Sequence, residues 1–128
     1  MNQLTNSPTN SSDSSHVQGT HFCVDMRGCN TELLNDEARL REILLSAAEQ
    51  ASATVLGVQS HAFTPYGVTI VLLLAESHMS IHTWPERQFA AVDVFTCGRT
   101  MSSQHAIDYI MEQIGATSSR STMLERGE

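Results

Sequence analysis

The stretch Leu74-Ala75-Glu76-Ser77-His78-Met79-Ser80-Ile81-His82-Thr83-Trp84-Pro85-Glu86 decides how the rest of this chain is read. An apolar run, Val68-Thr69-Ile70-Val71-Leu72-Leu73-Leu74, leads straight into it and reads as a buried strand. A strand that ends in Glu76-Ser77-His78 delivers a carboxylate, a hydroxyl and an imidazole to one edge of a core. Polar groups this close to a dry interior must be satisfied by partners or put to chemical use. On composition alone the stretch is a strand end with a Ser/His turn. Chemistry is favoured by its combination with a second unusual string downstream, Ala90-Ala91-Val92-Asp93-Val94-Phe95-Thr96-Cys97-Gly98.

Working outward, Pro65-Tyr66-Gly67 is a turn signal that joins an extended segment from Thr54 to about Phe63 to the apolar run as a hairpin. Further strands are expected over His78–Thr83 and Ala90–Thr96. Before them, a strand runs through Thr20–Met26, and Gly28 and Asn30 mark a turn. A helix follows, capped by Thr31 or Asn35, with Leu40, Ile43, Leu44, Ala47, Ala48 and Ala51 on one face. A second helix starts at Ser102 or Ser103, turns Ala106, Ile107, Ile110, Met111 and Ile114 inward and stops at Gly115. An edge strand is expected near Ser121–Leu124. Strands grouped together between two helices point to an α+β fold, an antiparallel β-sheet covered on one face by two helices. Such a two-layer sandwich leaves one sheet face bare, and a two-fold partner is its simplest cover, giving a dimer that forms a larger sandwich.

Residues 1–18 are rich in Ser, Asn and Thr and are expected to be a disordered tail ahead of one domain over 19–128. They carry no basic segment followed by an apolar one, and no apolar run in the chain is long enough to span a bilayer. Cys23, Cys29 and Cys97 cannot all pair internally, which favours reduced thiols in the cytoplasm. The net charge of −7 argues against nucleic acid as a partner and suits a cationic small molecule. Every basic residue is Arg. Without Lys the chain cannot hold pyridoxal phosphate as a Schiff base, so amine chemistry here needs another carbonyl.

A Ser hydroxyl can attack the carbonyl of the preceding residue and turn the amide into an ester, an exchange helped by backbone strain and by donors to the oxyanion. Removing the Ser Cα proton then eliminates the ester, and the dehydroalanine left behind hydrolyses to a pyruvoyl ketone.

The strings Ala75–Glu86 and Ala90–Gly98 closely resemble those of the small prokaryotic S-adenosylmethionine decarboxylase proenzymes. The resemblance extends through His61–Val68 and Gly19–Asp25 and covers roughly residues 19 to 128. It implies self-cleavage between Glu76 and Ser77, with Ser77 becoming a covalent pyruvoyl cofactor that forms a Schiff base with S-adenosylmethionine. The products would be carbon dioxide and decarboxylated S-adenosylmethionine for spermidine synthesis. It further implies that His82 takes the Cα proton during processing, that Cys97 returns a proton to the substrate carbon, and that Thr69, where relatives often carry Ser, holds either His82 or the cleavage intermediate. Phe63 and Trp84 match positions framing the adenine, and Glu86 one contacting the ribose. No metal is implied, and the family assembles from paired protomers.

Each residue has a plainer explanation: Cys97, Cys23 and Cys29 as core thiols, Phe63 and Trp84-Pro85 as packing, His61 and His105 as surface groups. A zinc site from His78, His82 and Cys97 uses ligand types but lacks paired Cys or a helical His pair. A pyruvoyl-dependent arginine or ornithine decarboxylase would need no aromatic sandwich. One geometric problem is visible already. Ser77 and His82, five apart, should face opposite sides of a straight strand, so a bend is expected to bring them together.

Overall fold

The computed structural model describes residues 17–97 and 101–127. The chain runs β1 (Val17–Arg27), α1 (Thr31–Leu34), α2 (Glu37–Gln50), β2 (Val55–Ala62), β3 (Val68–Leu74), β4 (Ser77–Trp84), β5 (Phe89–Thr96), α3 (Ser103–Ile114) and β6 (Ser118–Gly127). The strands form one sheet in the order β2-β3-β4-β5-β1-β6, antiparallel at every pairing. The expected α+β architecture is what the chain adopts.

Alternation along the strands sorts residues to two faces. Val68, Ile70, Leu72 and Leu74 of β3 are buried, with Met79 and Ile81 of β4, Val92 and Val94 of β5, and Val24 and Met26 of β1. They pack against Leu40, Ile43, Leu44, Ala47 and Ala48 of α2 and Ala106, Ile107, Ile110 and Ile114 of α3. Each fully buried Leu, Ile or Met contributes about 2 kcal/mol of transfer free energy, so this layer holds the fold together. The intervening residues form a second face that no helix among the described residues covers. Val71 and Leu73 lie there at 41% and 57% exposure, so the apolar run of β3 is only half used within one chain.

Local signals set the element ends, with some differences from the sequence reading. The first helix is broken in two. Asn30 caps α1 through Leu33 N (2.9 Å) and Asp36 caps α2 through Arg39 N (3.0 Å), rather than Thr31 or Asn35. Asn35 instead accepts from Gly67 N at 2.9 Å, tying the helix break to the β2–β3 turn. Ser102 caps α3, and Gly115 closes it with φ +72°. β1 starts at Val17, two residues ahead of Gly19, because it pairs with β6 along its length. β6 is longer than the expected segment, and all of it is exposed. The proposed tail lies outside the described residues except for Val17 and Gln18.

Candidate active site

β3 and β4 are joined by the two residues Ala75 and Glu76, with Leu74 opposite Ser77 across the hairpin. So short a connection needs left-handed backbone, and here it falls on Glu76, at φ +60°. A non-glycine residue in that region carries about 1–2 kcal/mol of strain. It sits on the acyl side of the Glu76–Ser77 bond. The half-buried Ser77 donates its hydroxyl to Ala75 O at 3.3 Å, with Met101 Sδ at 3.8 Å. Ala75 N is anchored to Thr54 O at 2.9 Å, which fixes the turn against the sheet edge. Met101 carries no sequence signal for this position, because it arrives from 24 residues away along the chain.

Cys97 follows the last residue of β5 and is half buried. The β4–β5 ladder ends at His78 opposite Phe95, so Cys97 lies at the same end of the sheet as the Glu76–Ser77 bond.

His82 lies elsewhere. It pairs with Thr69 across β3 and β4, and its Nδ1 is 3.0 Å from Thr69 Oγ1. If Nδ1–H donates to that oxygen, the lone pair rests on Nε2, which is then the base. Both residues lie on the open face.

The expected bend is absent. β4 pairs continuously with β3 and β5 from His78 to His82, so the alternation is not reset. Ser77 therefore belongs to the helix-side face and His82 to the open face. Five residues at about 3.3 Å each put them roughly 16 Å apart along the strand. One chain does not bring these two together.

Trp84 and Glu86 are farther along still. With Arg27, Arg87 and Phe89 they line a hollow of about 620 Å³. Trp84 packs on Phe89 (5.4 Å between centroids), and the Arg27 guanidinium lies 4.9 Å above the Phe89 ring. The sequence reading missed Arg27, Arg87 and Phe89, whose pattern resembles ordinary strand ends. Phe63 is at the same end of the sheet, since β3 starts there and Val68 N donates to Thr83 Oγ1 at 2.9 Å. It is 50% exposed and packs on His61 at 4.6 Å. Phe63 and Trp84 thus share an end but form no sandwich within one chain.

The remaining candidates separate cleanly. Cys29 is fully buried, and burial pushes its thiol up to about 11. Cys23 is not a core thiol, because it is half buried on the open face, opposite Asp93. His61 and His105 are exposed. His78, His82 and Cys97 do not gather as zinc ligands; among the described residues the group close enough to do so is His21, Cys23 and Asp93.

Three comparisons bear on this geometry. Residues 20–127 match the family model described as S-adenosylmethionine decarboxylase. The chain is 47% identical over 97 residues to the S-adenosylmethionine decarboxylase proenzyme of Thermodesulfovibrio yellowstonii, covering 76% of this chain and 72% of that one. It is 47% identical over 109 residues to the proenzyme of Brevibacillus brevis, covering 85% and 82%. The crystal structure of the adenosylmethionine decarboxylase from Aquifex aeolicus superposes with a TM-score of 0.82 at 37% identity, over 88% of this chain and 92% of that one.

Proposed function

The chain belongs to the S-adenosylmethionine decarboxylase family, and on that premise we propose that it cleaves its own Glu76–Ser77 bond and decarboxylates S-adenosylmethionine with the pyruvoyl group so formed. The observation that carries this reading is the strained Glu76 backbone directly before Ser77, at φ +60°. The relatives are named as S-adenosylmethionine decarboxylase proenzymes, which favours this substrate over arginine or ornithine.

Processing uses only the chain's own atoms. Ser77 Oγ bonds to the Glu76 carbonyl carbon, the C–N bond breaks, and the hydroxyl proton passes to the freed nitrogen of Ser77. Relief of the left-handed turn favours that shift. His82 Nε2 then takes the Ser77 Cα proton, the Cβ–Oγ bond breaks, and Glu76 leaves as a carboxylate. Water converts the resulting residue to a ketone with loss of ammonia. That ketone supplies capture of the substrate amine and acceptance of the electron pair released with carbon dioxide. Cys97 is the proton donor to the substrate carbon, its S–H bond breaking as the new C–H bond forms. Phe63, Trp84 and Glu86 bind the nucleoside.

His82 can do this only if the site is shared. Ser77 and Cys97 lie at one end of the sheet, while Phe63, Trp84 and Glu86 lie toward the other, beyond His82 and Thr69. A two-fold partner laid on the open face sets one end of each chain against the opposite end of its mate. The exposed Val71, Leu73 and Trp84 on that face support such a contact, because an apolar surface of this kind marks an interface. We therefore place the exposed hairpin tip that carries the Glu76–Ser77 bond, where the turn and not a sheet face presents the bond, and Cys97 of one copy beside His82 and Thr69 of another in a homodimer. Among the described residues no helix is long and apolar enough to cross a membrane. The three thiols are free, which supports a reducing cytoplasmic setting.

The test is carbon dioxide release from carboxyl-labelled S-adenosylmethionine, arginine and ornithine. Release from the first alone is expected. Comparable release from either amino acid would overturn the substrate assignment.

A further inference from the structure

The open face carries a second group of chemically capable side chains to which the proposed reaction assigns no role. His21 and Cys23 alternate onto this face from β1, and Cys23 pairs directly with Asp93 of β5. One ligand atom from each of His21, Cys23 and Asp93 lies within 4.8 Å of the other two, and all three residues are half buried. His21 Nε2 is shielded from solvent and has no hydrogen-bond partner among the described residues, although Asp93 Oδ1 is 3.4 Å away. A buried ring nitrogen without a partner is costly. That separation is long for a hydrogen bond, but it matches the edge of a tetrahedron. Two ligands about 2.05 Å from one zinc ion are about 3.3 Å apart.

The surroundings also fit a metal centre. Ser80 donates to Asp93 Oδ2 at 3.2 Å, which orients the carboxylate and leaves Oδ1 toward His21. The His21 ring stands edge-on to His78 and Phe95, which stack on each other, at 6.0 and 5.8 Å between centroids. Both strands that supply ligands are interior to the sheet, so their backbones are fixed on both sides.

From this geometry we propose that His21, Cys23 and Asp93 form a binding site for a divalent transition metal of the zinc class, its fourth ligand a water held between this face and the partner that the proposed dimer lays on it. One imidazole, one thiolate and one carboxylate are borderline-soft donors that suit zinc or cobalt and not magnesium or calcium. Binding requires the thiolate. The S–H bond of Cys23 breaks, sulfur donates its electron pair to the metal, and one proton goes to solvent. Metal affinity therefore falls as pH falls. The site is independent of the decarboxylase reading and has its own readout.

The experiment titrates cobalt(II) into the metal-free, purified full-length protein. One equivalent per chain is expected to give the intense visible bands of a tetrahedral centre and a near-ultraviolet thiolate charge-transfer band. That band should vanish in Cys23→Ala and persist in Cys29→Ala, and His21→Ala should weaken binding by at least about tenfold. Absence of the band in folded wild-type protein, or its survival in Cys23→Ala, would overturn the site. If Cys23→Ala does not fold, calorimetry of zinc binding to wild-type protein in two buffers of different ionisation enthalpy still decides. About one proton released per metal supports thiolate ligation, and none refutes it.

Discussion

Mixing two inactive variants distinguishes a site built within one chain from one built across two. Ser77→Ala removes the hydroxyl proposed to become the ester oxygen, and His82→Ala removes the proposed base. Each variant alone should remain uncleaved to pyruvoyl product. Within one chain Ser77 and His82 are about 16 Å apart along β4 and on opposite faces, whereas proton transfer needs about 3 Å. If the two act across a dimer, a mixed dimer contains one complete pair, the Ser77 of the His82→Ala chain and the His82 of the Ser77→Ala chain. Random pairing of equal amounts makes about half of the dimers mixed, so about half of the His82→Ala chains should be processed. A site within one chain predicts none, since no chain then holds both groups. The assay is co-expression with distinguishable tags, followed by intact mass of each chain. Absence of processed His82→Ala chain despite demonstrated mixed dimers would refute the shared site, as would a monomer by sedimentation at active concentrations.

Thr69→Val keeps the shape at the His82 Nδ1 contact but removes the hydroxyl. Losing a hydrogen bond worth about 1 kcal/mol should slow processing about fivefold, with the fold intact, while Thr69→Ser should behave like the parent in a timed cleavage assay. Cys97→Ala should cut turnover by about 10²–10⁴ while substrate still binds, with alanine accumulating at residue 77 as misplaced protonation inactivates the enzyme. Cys29→Ala should leave turnover nearly unchanged, and equal losses in both would make Cys97 an ordinary buried thiol. The Cys29 thiol has a raised folded pKa, from 9.0 to about 11, so its stabilising effect is complete below about 9 and lost as pH rises toward 11. Urea midpoints measured across that window should fall more steeply for the parent than for Cys29→Ala.

The layer architecture was legible because its signals are local and periodic. The alternation of Val68 to Leu74 fixes one face of β3, and Ser102 and Gly115 bracket α3 as their chemistry dictates. The break between α1 and α2 was not legible, because it depends on Asn35 leaving its helix to bind Gly67, a contact made 32 residues away. The resemblance of its string proposes Glu76 as the cleavage residue, but its positive φ follows from a two-residue hairpin whose register is set by pairing with β2 and β5. Parity correctly placed Ser77 and His82 on opposite faces, and the bend expected to reconcile them was wrong. A ladder paired on both sides gives β4 no freedom to bend. The cluster of His21, Cys23 and Asp93 escaped notice because its members are 70 residues apart in part, and only the β1–β5 register brings them together.

The central claim is that Glu76–Ser77 is broken by the chain itself to make its own ketone. Intact-mass analysis of freshly purified, active protein tests it most directly. The account expects two fragments, residues 1–76 and 77–128, the second lacking a free amine and bearing a mass consistent with pyruvoyl at residue 77, and a single uncleaved chain for Ser77→Ala. A fully active preparation containing only the full-length chain, or decarboxylation by Ser77→Ala at the parent rate, would contradict it.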